Sequence, residues 1–96
     1  MRMMLKVQVP VEDGNEAIKN RYMHSIIEET MQRIQPEAIY FFLEDGMRSA
    51  IAVFDMKDIS DMPAIAEPIF IALNADVQFT PVMTLDDFKQ GLSRIG

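Results

Sequence analysis

Few side chains in this sequence can exchange a proton near neutral pH. His24 is the only histidine, while Tyr40 and Glu67 each lie within an apolar stretch. Histidine, tyrosine and glutamate act as general acids or bases when burial or a neighbouring charge adjusts their pKa. Their spacing matches no catalytic pattern, so the catalytic residues are unknown and these three side chains are the acid–base candidates.

Each candidate also has a plainer structural interpretation. Helical spacing places His24 on a polar face one turn before Glu28, which predicts an exposed histidine beside a glutamate. Tyr40 suits a strand, where it packs against a cross-strand neighbour. Glu67 is expected to face solvent because carboxylates are rarely fully buried.

Composition limits the classes of function. The chain has no cysteine, which excludes disulfides, thiolate zinc sites and cysteine-held iron–sulfur clusters, and favours the cytoplasm. The net charge of −6 opposes binding to nucleic acid or anionic lipid, and no apolar stretch is long enough to span a membrane. The nine methionines fall mainly at core positions and no EF-hand spacing occurs, so we expect neither a metal nor a cofactor.

Hydrophobic periodicity predicts a strand, a helix, two strands joined by a tight turn, a helix, a strand and a short C-terminal helix. The predicted strands are Arg2–Val9, Ala38–Glu44, Met47–Asp55 and Asp76–Val82. The first helix is expected to begin with Asp13 or Asn15 as its cap and to continue to Gln35, its early turn separate or kinked near Asn20 and Arg21. The second helix begins near Asp58, Ser60 or Asp61 and extends past Pro68 to Leu73. Thr84 caps the last helix, whose Leu85, Phe88 and Leu92 are candidates to cover the second helix of this chain or of a partner.

The pair Asp45-Gly46 predicts a type I′ turn between the two central strands. Such a turn sets the register, so that Phe41 lies opposite Ala50 and Tyr40 opposite Ile51. Arg48 follows the turn near Glu44, where an exposed ion pair is expected and an anion-binding arginine is the alternative.

This order of elements is the β-α-β-β-α-β plan of the ferredoxin-like fold. It predicts a single α+β domain over residues 1–96, with a four-stranded antiparallel sheet in the order 4-1-3-2 and helices on one face. The other face carries a polar cluster beside apolar side chains of strands two and three, which favours a sheet-to-sheet homodimer around a small cavity. The candidate ligand-binding residues there are Lys6, Gln8, Tyr40, Gln78 and Thr80.

The layout resembles the dimeric α/β-barrel group of ferredoxin-like proteins. The segments Pro10–Asn15, Glu44–Gly46 and Ile65–Pro68 also resemble a small bacterial family with no assigned activity. The wider group includes cofactor-free oxygenases, lactone isomerases, stress-response barrels and ligand-sensing modules, and a shared fold does not select among them.

Two hypotheses of function follow from the sequence, and a purely structural dimer is the remaining option. The first is a homodimeric ligand-binding or sensing module that holds a small neutral or cationic molecule. The alternative is a cofactor-free isomerase or oxygenase that uses Tyr40, His24 or Glu67 as acid or base. We favour the first because the acid–base candidates do not converge at any recognisable spacing.

Overall fold

The structure, a computed structural model, describes residues 1–96. Its strands are β1 (Arg2–Val9), β2 (Ala38–Glu44), β3 (Met47–Asp55) and β4 (Asp76–Pro81), and its helices are α1 (Val11–Lys19), α2 (Met23–Ile34), α3 (Met62–Leu73) and α4 (Leu85–Ser93). The four strands form one antiparallel sheet in the order β2-β3-β1-β4, which confirms the α+β class and the expected strand order. None of the helices has the length and apolarity that crossing a membrane requires.

The core lies between one face of the sheet and helices α1 to α3. Met3 and Leu5 of β1 are almost fully buried there, next to Phe54 of β3, and they pack against residues such as Ile69 and Leu73 of α3. Because side chains alternate along a strand, the residues between them point to the opposite side. We call that opposite side the far face; it carries Met4, Lys6, Gln8, Tyr40, Phe42, Ile51, Val53, Gln78 and Thr80.

The β2–β3 turn has the geometry that its sequence predicts. Asp45 and Gly46 have φ angles of 54° and 76°, as a type I′ turn requires at both central positions. Leu43 therefore lies opposite Arg48, and Phe41 lies opposite Ala50, as expected. This register places Arg48 on the helix side of the sheet.

The first helical region is divided into α1 and α2, so the interpretation with a separate early turn is confirmed. The amides of Tyr22 and Arg21 donate to the carbonyls of Ala17 and Ile18 at 3.0 and 3.3 Å, and Arg21 has a φ of 61°. This is the Schellman arrangement that ends a helix. The predicted side-chain cap is wrong, because α1 begins after Pro10 without one. Proline suits this place since its fixed φ is compatible with a helix start.

The C-terminal half contains two capping boxes; the sequence predicts the one at Thr84, and Asp58 is one of the three expected starts of the second helix. Asp58 caps a single 3-10 turn, Ile59–Asp61, which leads into α3, and Thr84 caps α4. Strand β4 ends at Pro81, one residue before the predicted end. All residues from Leu85 to the end are exposed, so the apolar side of α4 covers no helix of this chain. The longest dimension of the molecule is 55 Å, against 28 and 17 Å for the others.

The acid stability of the fold is expected to depend on Asp55. Hydrogen bonds from Lys57 and from the amino group of Met1 lower the pKa of Asp55 from 3.8 to about 2. A lowered pKa means that the carboxylate stabilises the folded state above pH 4 and loses that contribution as the pH falls toward 2. We therefore expect the free energy of unfolding, measured with urea, to fall less across this interval in Asp55→Asn than in the wild type.

The matched control is Asp86→Asn, which removes an exposed α4 carboxylate that forms no ion pair. The free energy of unfolding of Asp86→Asn should fall between pH 4 and pH 2 as it does in the wild type. If the free energy of unfolding falls equally steeply with pH in the wild type and in Asp55→Asn between pH 4 and pH 2, the role assigned to Asp55 is wrong.

Candidate functional site

A cavity of about 410 Å³ lies between α2 and the helix side of the sheet. Its roof is the α2 stripe whose spacing indicates a buried helix face, formed by Met23, Ile26, Ile27, Thr30 and Met31. These five residues are only half-buried, while Ile34 at the end of the same stripe is 4% exposed. Met23, Ile26 and Met31 pack against the core but keep part of their surface open, so the helix is sealed against the core only at its C-terminal end.

Small side chains on β3 form the floor of this cavity. Ala50 and Ala52 point toward α2, between Val7 and Leu5 on one side and larger β2 residues on the other. An alanine fills much less of the space between a sheet and a helix than a leucine or phenylalanine does, and interiors are otherwise closely packed. The cavity thus follows from two alanines at positions where strands usually carry branched or aromatic residues.

The mouth of the cavity exposes apolar surface. Phe41 and Leu43 of β2 retain 59% and 75% of their accessible surface, and Ile18 at the end of α1 retains 52%. All three line the cavity. A molecule that entered the space would cover these side chains together with the half-buried α2 stripe.

The lining contains 19 residues, of which 16 are hydrophobic and three are polar. Thr30 donates its hydroxyl to the carbonyl of Ile26 at 2.8 Å, and Ser49, whose side chain points to the far face, donates to the carbonyl of Met47 at 3.1 Å. Arg48 is the only charged residue of the lining. Its guanidinium is therefore the one polar group with donors left to offer a ligand.

Two residues of α1 hold the Arg48 side chain. Its Nη2 donates to Oδ1 of Asn15 at 3.1 Å, and a Cβ on Gly14 would lie 2.5 Å from its Nη1. The guanidinium thus occupies space that only a glycine leaves free. No carboxylate oxygen lies within 4.0 Å of it, and the expected Arg48–Glu44 ion pair is wrong. The register explains this, because Arg48 lies on the helix side and Glu44 on the far face.

The predicted ligand-binding cluster lies together on the far face, but its polar groups largely bind one another or nearby residues. Lys6 Nζ donates to both oxygens of Glu44 at 2.8 and 2.9 Å. Gln8 donates to the backbone carbonyl of Glu44 at 3.2 Å, and Gln78 donates to Asp76 at 3.0 Å. Tyr40 and Thr80 are exposed.

The three acid–base candidates are not brought together. His24 lies on the outer side of α2, 83% exposed, with its Nε2 2.9 Å from Glu28, as expected. Tyr40 lies opposite Ile51 on the far face, and Glu67 is exposed on α3. No hydrogen bond joins any two of them, and no group of three or more potential metal ligands converges anywhere in the chain.

The helix-side cavity was not predicted from the sequence. The α2 stripe indicated a sealed core, and the sequence placed the ligand on the far face. The available signal was the pair Ala50 and Ala52, directly opposite that stripe. Comparison with protein-family models and with curated proteins gave no match for this chain.

Gly14 is expected to decide where the Arg48 guanidinium lies. An alanine in a helix interior is normally preferred over glycine by roughly 0.5–1 kcal/mol. In Gly14→Ala, however, the new methyl group would overlap Arg48, so the guanidinium must move away from Asn15. We expect the side-chain Nε–H resonance of Arg48 to shift in nitrogen-15 NMR spectra while α1 stays helical.

Gly91→Ala is the matched control, because a Cβ there meets no atom within 4 Å. It should leave the Arg48 resonance where it is. An unchanged Arg48 resonance in Gly14→Ala would show that the guanidinium does not rest against the helix.

Proposed function

We propose that this protein is a small-molecule-binding module that holds an apolar ligand in the helix-side cavity. The observation that carries the proposal is the cavity itself, about 410 Å³ in volume and lined by 16 hydrophobic residues. Ligand sites in proteins are mostly apolar spaces of roughly 300–1,000 Å³ with a few polar groups that orient the ligand. The α2 roof and the alanine floor meet this description.

The geometry favours binding over catalysis. The cavity walls contain no histidine, carboxylate or tyrosine, and the acid–base candidates lie elsewhere. Chemistry on a bound molecule needs a proton donor or acceptor within hydrogen-bond reach of it. The proposed module therefore retains its ligand without transforming it. A cytoplasmic location is part of the proposal and is supported by the lack of cysteine.

A homodimer of the ferredoxin-like, dimeric α/β-barrel type completes the proposed assembly. The far face carries the half-buried side chains of Met4, Phe42, Ile51 and Val53, and Tyr40 is 70% exposed. Contiguous apolar surface of this kind typically marks an interaction site. A second copy seated on the far face would cover it and leave the helix-side cavity accessible.

Helix α4 supports the same arrangement. Its Leu85, Phe88 and Leu92 lie on one side of the helix and are 66%, 50% and 49% exposed. Asp87 of α4 is 3.9 Å from Arg2, whose side chain belongs to the far side of the sheet. The helix therefore adjoins the proposed dimer surface and adds apolar area to it. Stable interfaces bury about 800 Å² of each partner.

Filling the cavity is expected to abolish ligand binding. Ala50→Leu places three further carbons in the space below α2, so a neutral dye such as Nile red should lose its fluorescence increase with this variant. The wild type should bind the dye, because its fluorescence rises in apolar surroundings. Thermal unfolding of Ala50→Leu should occur at an equal or higher temperature, since the added group fills empty volume.

The control variant is Ala64→Leu, which makes the same change on the exposed side of α3. It should bind Nile red as the wild type does. Equal binding by Ala50→Leu and Ala64→Leu, or no binding by the wild type, would contradict the proposed site.

The oligomeric state tests the proposed interface separately. Ile51 lies between Lys6 and Tyr40 at the centre of the far face, so Ile51→Glu places a charge where the two sheets would meet. Sedimentation at micromolar concentration should give a dimer for the wild type and a monomer for Ile51→Glu. A wild-type monomer would refute the interface.

The control for this experiment is Ile71→Glu on α3, where the side chain is 82% exposed and away from the sheet. It should sediment as a dimer. Circular dichroism of both variants establishes that the fold is retained.

A further inference from the structure

We infer that the ligand of the helix-side cavity is an apolar carboxylate whose anionic group binds Arg48. This inference rests on the proposed function, because it assigns a chemical class to the molecule that the cavity holds. It differs from the sequence-based expectation of a neutral or cationic ligand on the far face. The charge, the placement and the small number of polar groups in the cavity wall all favour such a ligand.

The cavity wall carries a single positive charge. Arg48 is the only ionised side chain in a lining of 19 residues, and no acidic oxygen within 4.0 Å neutralises it. Of the five N–H donors of a guanidinium, one is used in the bond to Asn15. A half-buried cation beside apolar surface is stabilised by an anion, while a cationic ligand would be repelled.

The placement of Arg48 gives the ligand a polar end and an apolar end. Arg48, Ala50 and Ala52 alternate along β3 on the same face of the sheet, so the floor of the cavity begins with a cation and continues with two methyl groups. Four residues of strand span about 13 Å. A molecule with an acidic head and a hydrocarbon tail fits this arrangement, with its head at Arg48 near the β2–β3 turn and its tail over Ala50 and Ala52.

The number of donors selects a carboxylate over a phosphate. A guanidinium presents two parallel N–H groups that match the two oxygens of one carboxylate. A phosphate dianion requires more donors and more positive charge, and neither a lysine nor a second arginine lines the cavity. Gly14 and Asn15 also hold the guanidinium in place, so less side-chain entropy is lost when the acid binds.

Calorimetric titration with octanoate and octanol at pH 7 tests the inference. Each molecule has eight carbons, and the two differ only at the first carbon, which is a carboxylate in octanoate and a CH2OH group in octanol. We expect the wild type to bind octanoate at least about tenfold more tightly, because a hydrogen bond to a charged partner contributes that much or more. Arg48→Gln should lose this preference while its affinity for octanol stays the same.

Arg33→Gln is the matched control, since it removes an exposed arginine of α2 that does not line the cavity. It should keep the full preference for octanoate. Gly14→Ala should weaken octanoate binding and leave octanol binding unchanged, because it displaces the guanidinium without removing its charge.

Three outcomes would overturn the inference. Equal affinity of the wild type for octanol and octanoate would show that Arg48 does not select the head group, while the apolar site itself would stand. An unchanged preference in Arg48→Gln would place the acid elsewhere. If neither molecule binds and Nile red also fails to bind, the proposed function fails and the inference fails with it.

Discussion

The register of the β2–β3 hairpin is the constraint on which the rest of this structure depends. Asp45 and Gly46 adopt the left-handed conformations of a type I′ turn. This turn fixes which residue of β2 pairs with which residue of β3. A shift by one residue would move each side chain of one strand to the opposite face. In the observed register, Arg48, Ala50 and Ala52 all face the helices, and the side chains between them form part of the far face.

The cavity arises because this register coincides with a break in the helical layer. The Schellman arrangement at Arg21 ends α1 before α2 begins, and α2 buries Ile34 fully while its earlier apolar residues pack against the core and stay half-buried. Non-glycine residues adopt the conformation of Arg21 at a cost of about 1 kcal/mol. The space below α2 is therefore set by the chain path as well as by the small residues on β3.

Local sequence signals predicted most of the fold. The turn residues, the alternation of apolar side chains and the capping box at Thr84 act over a few residues, and each was recognisable in the sequence. Asp58, which caps the turn before α3, was one of three alternative starts. The start of α1 was missed because Asp13 and Glu16 have the spacing of a capping box, while the helix begins earlier, after Pro10. Alternative caps within a few residues differ by only about 1 kcal/mol in the helix stability they provide. Tertiary contacts contribute more than this and can therefore decide where the helix begins.

The site was less predictable because it depends on distances between elements. The stripe on α2 has the same spacing whether the helix touches the sheet or stands above a cavity, so periodicity did not distinguish a sealed core from a half-buried roof. The partner of Arg48 was misassigned because Glu44 is near in sequence but lies across the sheet. Its actual contacts, Gly14 and Asn15, are more than 30 positions away along the chain.

The central claim is that the space below α2 is where this protein holds its ligand. Nuclear Overhauser contacts between octanoate and protein with isotope-labelled alanine methyl groups test it most directly. We expect contacts from the hydrocarbon tail to the methyl groups of Ala50 and Ala52, and none to Ala38 on the far face of the sheet or to Ala64 on α3. Contacts to Ala38 without any to Ala50 or Ala52 would contradict it.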